Sequence, residues 1–317
     1  MPARHKLMID ADPGIGDAVA IALALIDPEI EVLALTACGG LVSGEQAFRN
    51  LQTIVSLVDP ELWPRLGWSE ASAITIDHSP AYSDLVKIHG ETGLGECQPI
   101  AAKPHQPTDS AKLMADMVKA HPGELTLLTM GPLTNVVAAS ELHPEFLNEL
   151  NQLVVLGGSV ASGGDVTAAA EFNILADPYS ARGILKSSAN KTLLPLDTSQ
   201  KFGVSFDQYR RLNVDQFSRL GSLLDALIPF ALRASRSHLG QEGIVMPEVM
   251  AIAAVAHSEL FERTPMTVDV ETDAGLTKGM TVFDRRSLPH WKQNIEVLTD
   301  VDPLAVMDYL LRLIAAE

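Results

Sequence analysis

Leu7-Met8-Ile9-Asp10-Ala11-Asp12-Pro13-Gly14-Ile15-Gly16-Asp17 decides the fold. The apolar run 7–9 reads as a buried strand and Asp12-Pro13-Gly14 as a turn. An apolar helix pattern follows over 18–26, stopped by Asp27-Pro28. The same alternation continues outward. Strands are expected at 32–36, 125–129, 153–156 and 193–196, with a helix at 45–58 and another from about Leu133, after Gly131-Pro132. Asp177-Pro178 reads as a helix cap followed by a helix-starting proline. Strands alternating with helices imply an α/β fold, with a mostly parallel sheet covered on both faces. The stretch 206–256 is mainly helical and is expected to sit over one end of the sheet, above the pocket. A β pair at 266–271 and 280–283, a last strand at 294–298 and a closing helix at 303–315 complete a single domain, 1–317. In such sheets ligands bind beyond the carboxyl ends of the strands, so functional residues should follow each strand.

The chain has 317 residues, long enough to bury a full core without disulfides. Its 23 Lys and Arg against 40 Asp and Glu give a net charge of -17, which opposes binding to a phosphate backbone and favours divalent cations wherever carboxylates converge. Nucleic acid is therefore not an expected partner. Cys38 and Cys97 form no short-range motif, which fits a reducing compartment. No apolar run is long enough to span a bilayer, and the apolar stretch near the N-terminus is too short for a signal peptide. A cytoplasmic protein without membrane contact is the expectation.

Asp10, Asp12 and Asp17 place three carboxylates within eight residues at a strand-to-helix turn. Buried together they repel one another at a cost of several kcal/mol unless a cation compensates. A hard divalent ion such as Ca²⁺ takes such oxygen ligands. Helix capping is the plainer reading, above all for Asp17. Glu171 and Asn173, two apart, suit either the chelation of vicinal hydroxyls or a surface loop. Asp197 ends the strand 193–196. The loop His89-Gly90-Glu91-Thr92-Gly93-Leu94-Gly95 lacks the lysine and the strand–loop–helix context of a phosphate loop, and is a candidate cover for a pocket.

The opening resembles the D-x-D-P-G-x-D-D signature of the inosine-uridine-preferring nucleoside hydrolases. Five further segments are similar to that family and fall in its order. They are the His89 loop, Gly131-Pro132-Leu133-Thr134-Asn135, the stretch 154–158, Ala170-Glu171-Phe172-Asn173 with Ala176-Asp177-Pro178, and the stretch from Val270 through Gly279-Met280-Thr281-Val282 to Arg286. The resemblance implies an open, doubly wound α/β fold, a Ca²⁺ at the bottom of a pocket, and hydrolysis of the N-glycosidic bond of a ribonucleoside or related riboside. Asp12 then matches the metal-bound carboxylate that activates water, and Asp17 a bidentate Ca²⁺ ligand. Met130 matches a ligand through its backbone carbonyl, and Asp10 a supporting residue. Glu171 and Asn173 match residues that hold the sugar hydroxyls. The family is commonly dimeric or tetrameric, so a homodimer or homotetramer is implied.

Four positions depart from the family pattern. Gly16 replaces the first Asp of the Asp-Asp pair. This removes a charge-assisted hydrogen bond worth roughly 1.5–3 kcal/mol and is expected to open space beside the sugar. Asp165 replaces Asn at the 5′-hydroxyl end, where an ionised carboxylate only accepts and would repel a 5′-phosphate. Pro247-Glu248 replaces a His-Asp pair. Glu248 remains able to ligate Ca²⁺, whereas Pro247 cannot act as an acid. Gly40 stands for Asn, with the loss of a polar contact. His238, about ten residues before Glu248, is a candidate replacement for the missing acid, and His89 is a candidate pocket-facing, substrate-binding residue, each with an ordinary structural role as the alternative. His257 reads as structural. Trp68 reads as core or as an aglycone stacker. A non-catalytic binding protein on the same fold is the second hypothesis. A haloacid-dehalogenase-type phosphatase is the third, opposed by Gly14 and by the acidic pocket.

Overall fold

Five consecutive buried residues, Leu7 to Ala11, make β1 (His5–Ala11) an interior strand with both faces covered. The computed structural model describes residues 5–69, 80–98, 108–212, 214–288 and 290–315. The first four residues of the N-terminal stretch lie outside the described residues. The chain runs from β1 through α1 (Ile15–Ile26), β2 (Ile30–Ala37), α2 (Gly44–Val58), β3 (Arg65–Trp68), α3 (Pro80–His89), β4 (Thr108–Asp109) and α4 (Ser110–Ala120). It continues through β5 (Leu125–Thr129), α5 (Thr134–Leu142), β6 (Gln152–Leu156), α6 (Phe172–Ala176), α7 (Pro178–Lys186), β7 (Lys191–Leu194) and α8 (Leu196–Ser199). Then come β8 (Gly203–Ser205), α9 (Phe206–Arg211), α10 (Arg219–Leu239), β9 (Gly243–Val245) and α11 (Pro247–Ala256). The chain ends with β10 (Phe261–Met266), β11 (Val268–Val270), β12 (Thr281–Phe283), β13 (Ile295–Val301) and α12 (Pro303–Ala315).

Nine strands form one sheet in the order β10-β13-β7-β6-β5-β1-β2-β3-β4. Neighbours are parallel except at the edge, where β10 runs antiparallel to β13. The order reverses at β1, which pairs β2 on one side and β5 on the other. That reversal opens a crevice at the carboxyl ends of β1 and β5. One apolar core, on one face, joins the sheet to α1, α2, α10, α11 and α12; a second, on the other face, joins it to α4, α5 and α7. The helical stretch covers the crevice because α10 packs on α1, α2 and α3 while α11 packs on α1.

Four local readings change. First, α1 starts at Ile15, so Gly16 and Asp17 lie in its buried first turn. Second, β7 stops at Leu194, because Pro195 ends the ladder and the next residues coil into α8; Asp197 therefore sits in a helical turn rather than at a strand end. Its carboxylate accepts from the N–H groups of Val160 (2.7 Å), Ala161 (2.8 Å) and Ser162 (3.0 Å), fixing the loop after β6. Third, the stretch 266–271 is split. Met266 ends β10 on the main sheet, and 268–270 pair with β12 in a separate two-stranded ribbon. Fourth, β10 itself goes unread in the sequence, since an exposed Glu-Arg-Thr-Pro edge carries no apolar alternation. Among the described residues no helix is long and apolar enough to cross a membrane. Both cysteines are free thiols.

Candidate active site

The end of β1 delivers Asp10 and Asp12 to the crevice. Asp10 is wholly buried, and its Oδ1 accepts from Thr36 Oγ1 (2.7 Å) and Asn135 Nδ2 (2.9 Å), so it ties β1 to β2 and to α5. Burial pushes its carboxyl up to about 7. Asp12 follows two residues on, just past the end of β1, and is also buried. Its Oδ2 accepts the Leu41 N–H at 2.5 Å. Two glycines make room for it. A Cβ at Gly40 would overlap Asp12 Oδ2 and lie 2.5 Å from its Cγ, and a Cβ at Gly131 would lie 2.7 Å from Oδ1. Gly40 therefore leaves no vacant polar subsite, because Asp12 fills the volume that a side chain there would need.

Asp17 stands in the first turn of α1. Its Oδ2 accepts the Gly14 N–H at 2.9 Å, while its buried Oδ1 has no hydrogen-bond partner. Glu248 occupies the corresponding first turn of α11, after the helix-starting Pro247. Its carboxylate lies directly over Gly16, where a Cβ would overlap Oε2 and come within 2.5 Å of Cδ. The expected open space beside Gly16 is thus filled by Glu248. Burial, and then the negative charge of Asp17, hold Asp12 well above the usual carboxylate range. Burial, Asp17 and Glu171 push Glu248 up to about 8.

The opposite wall is built around α6. Glu171 caps that helix and accepts from Gly158 N (2.9 Å), Asn173 N (3.0 Å) and Ile174 N (3.2 Å). Burial and the nearby Asp165 nevertheless push it up to about 8. Asn173 Nδ2 donates to the carbonyls of Met130 (2.9 Å) and Leu156 (3.1 Å), which bridges the ends of β5 and β6. Both amide hydrogens are committed, so Oδ1 is the polar atom left for a ligand. Asp165 stands at the rim, where it accepts the Phe172 N–H at 3.0 Å.

These residues line one cavity of about 240 Å³. Five carboxyl side chains face it, from Asp12, Asp17, Asp165, Glu171 and Glu248, and among the described residues no lysine or arginine does. Apolar side chains line it as well, among them Leu85, Ile88, Phe172, Leu239, Ile244 and Val245.

Asp12, Asp17, Met130, Glu171, Asn173, Asp165, Gly16, Glu248 and His89 are all brought to this cavity. His89 Nδ1 accepts the Ile15 N–H at 3.0 Å, which leaves its proton on Nε2. Burial lowers its pKa to about 4, so the ring is neutral. The glycine loop that follows is tied down rather than loose, since Asn50 Nδ2 donates to Thr92 O (2.7 Å) and to Pro13 O (2.9 Å). His238 is not brought in. It lies exposed on α10, while Ala231, Ser235 and Leu239 of that helix face the cavity. His257 packs edge-on against Tyr309, and Trp68 packs against Phe48, away from the site. Ser199 and Gln241 line the cavity without any signal in the sequence that singles them out.

The donor set suits a hard cation. All its atoms are oxygens, its carboxylates repel one another, and Asp17 Oδ1 is buried without a partner. Among the described residues no three acidic, imidazole or thiol side chains close on a single point as they stand. An ion there would need further oxygens from the Met130 carbonyl, water or a ligand.

Known proteins are similar to almost the whole chain. The profile of the inosine-uridine preferring nucleoside hydrolases matches residues 7–308. The chain is 32% identical over 318 residues to the pyrimidine-specific ribonucleoside hydrolase RihA of Photobacterium profundum, covering 98% of this chain and 99% of that one. It is 31% identical over 314 residues to the non-specific ribonucleoside hydrolase RihC of Escherichia coli, with 98% and 99% covered. Among solved structures, the purine-preferring ribonucleoside hydrolase from Gardnerella vaginalis superposes with a TM-score of 0.86 at 27% identity, over 98% of each chain. The crevice at the sheet reversal and the match along the chain lead to one conclusion: this protein belongs to the inosine-uridine preferring nucleoside hydrolase family and is an N-glycosyl hydrolase.

Proposed function

We propose that the chain cleaves the N-glycosidic bond of a ribonucleoside or related riboside with the help of Ca²⁺ and with Asp12 as the base. The observation that carries this reading is the ring of five carboxyl side chains around a cavity that no lysine or arginine lines among the described residues. Cleavage passes through an oxocarbenium-like sugar, and such a ring stabilises the growing positive charge. Asp12, Asp17, Glu248 and the Met130 carbonyl are the groups that would hold the ion. When bound, the ion makes a water more acidic and orients vicinal hydroxyls.

The chain's own residues supply the rest. The Leu41 N–H fixes Asp12 Oδ2, leaving Oδ1 to receive the proton of the attacking water. Glu171 and Asn173 Oδ1 accept from the sugar hydroxyls, their orientations set by the backbone of α6 and by the two carbonyls on Asn173 Nδ2. Asp165 accepts from a 5′-hydroxyl and repels a 5′-phosphate, so nucleosides rather than nucleotides are the substrates. The leaving base packs on the apolar lining residues, and His89, held at the start of α1, offers the neutral Nε2–H. A homodimer or homotetramer is part of this proposal, on the family resemblance alone.

Reducing-sugar release from inosine, uridine, adenosine, cytidine and nicotinamide riboside, with Ca²⁺ present, tests the proposal. Release from at least one of them, lost in Asp12→Ala, is the expected result. Release that survives in Asp12→Ala removes the base assignment, and no release from any riboside removes the substrate class.

A further inference from the structure

Gly16 and Glu248 lie 232 positions apart in the sequence, yet they compete for one volume. A Cβ on residue 16 would overlap Glu248 Oε2, lie 2.5 Å from Cδ and 2.9 Å from Oε1. Neither backbone has room to retreat. Residue 16 belongs to the buried first turn of α1, between Ile15 and Ala18, each at most 1% exposed. Glu248 precedes an unbroken buried run from Val249 to Ala256 that packs on α1. Only the Glu248 side chain could move.

We infer that Glu248 is the specificity-determining carboxylate of the sugar site, and that residue 16 is glycine because the Glu248 carboxylate stands where its side chain would be. The inference rests on the proposed reading of this cavity as a riboside site. From its place over the first turn of α1, Glu248 lines the same cavity as Asp17 of α1 and as Glu171 at the start of α6. One flexible acid thus serves the ground between α1 and α6 across which a pair of neighbouring hydroxyls would lie. The ligand class is a sugar with both hydroxyls present, and the group that reads them comes from α11 rather than α1. Residues 16 and 248 consequently act as a coupled pair, in which a side chain at one requires a shorter side chain at the other.

A double-mutant cycle on the full chain tests this, with Gly16→Ala, Glu248→Asp and the combination, read first as melting temperature without substrate. Gly16→Ala should lower the melting temperature by several degrees beside Glu248 and by about one degree or less beside Asp at 248. The double variant should also exceed Gly16→Ala at least tenfold in kcat/KM. Equal effects of Gly16→Ala in both backgrounds, or no effect in the first, overturn the interlock. Glu248→Gln, which keeps the size and loses the charge, tests the specificity role at saturating Ca²⁺. Its KM for a ribonucleoside should rise at least tenfold and its preference for ribo- over 2′-deoxyribonucleoside should fall, with the melting temperature held. An unchanged KM and preference overturn that role. If Gly16→Ala does not fold while the double variant does, the interlock is upheld; if neither folds, it is overturned. If the wild type cleaves no riboside, the proposed function fails and the specificity role with it, and the melting cycle still decides the interlock.

Discussion

Two acidic regions of this molecule are in opposite electrostatic states. On the outer ribbon, Asp269 of β11 receives Arg182 Nε at 2.7 Å and Lys186 Nζ at 2.9 Å. Partial burial works to raise its pKa, yet the bonds from Arg182 and Lys186 prevail and bring it down to about 2. In the crevice, Asp12, Asp17 and Glu248 have no such partners among the described residues, and all three are pushed up. The residue type is the same, and the difference lies in whether the fold supplies the counter-charge. Where it supplies one, the carboxylate is spent on structure. Where it withholds one, the carboxylates stay without a counter-charge, which is the state the proposed cation and the proposed oxocarbenium-like sugar would relieve.

The comparison breaks most visibly at Asp12. Asp12→Ala should cut turnover by about 10²–10⁴-fold, the usual contribution of a positioned base, while the melting temperature holds or rises because one repelling charge is gone. A steady-state assay and a melting curve on one preparation check both halves. Glu248→Ala comes next. Losing even a supporting group around a metal costs about 10–100-fold in affinity, so losing a direct ligand should weaken Ca²⁺ binding by at least that much in calorimetry. Unchanged affinity would remove Glu248 from the ligand set.

His89 gives a smaller effect with a definite sign. Its folded pKa of about 4 lies below the usual 6.5, because protonation would be penalised by burial and would cost Nδ1 its bond from Ile15. The unfolded chain binds that proton more readily, so the stability His89 contributes is full above pH 6.5 and is lost as pH falls toward 4. His89→Gln, whose amide oxygen can still accept from Ile15, should lose less. Across that window the wild type should fall by about 2–3 kcal/mol relative to the variant in denaturant titrations. The smallest effect belongs to the paired region. Asp269→Asn should cost under about 1 kcal/mol, since Arg182 and Lys186 are half exposed, and should leave turnover and Ca²⁺ binding unchanged.

Much of the frame was legible in the residues. Apolar runs bounded by Asp-Pro, Gly-Pro or Gly-Gly mark β1, β2, β5 and β6, and the helix bounds at 303–315 match α12. The site residues stand at the carboxyl ends of these strands because an open parallel sheet leaves its crevice there. What escaped was tertiary. Nothing near Gly16 in the chain announces that Glu248 fills its side-chain volume, so an absent Asp reads as empty space. His238 and Ser235 lie within one turn of α10, and only the packing of that helix on α3 decides that Ser235 faces the cavity. The edge strand β10 has four exposed residues in six, and its pairing with β13 is set by the sheet rather than by its own pattern.

If the crevice carboxylates hold a divalent cation and serve riboside cleavage, sugar release depends on that ion. Sugar release by protein stripped with a chelator, followed as Ca²⁺ is added back, tests it most directly. Release should be near zero in the stripped protein and should recover, saturating at one Ca²⁺ per chain. Equal release with and without Ca²⁺ would contradict it.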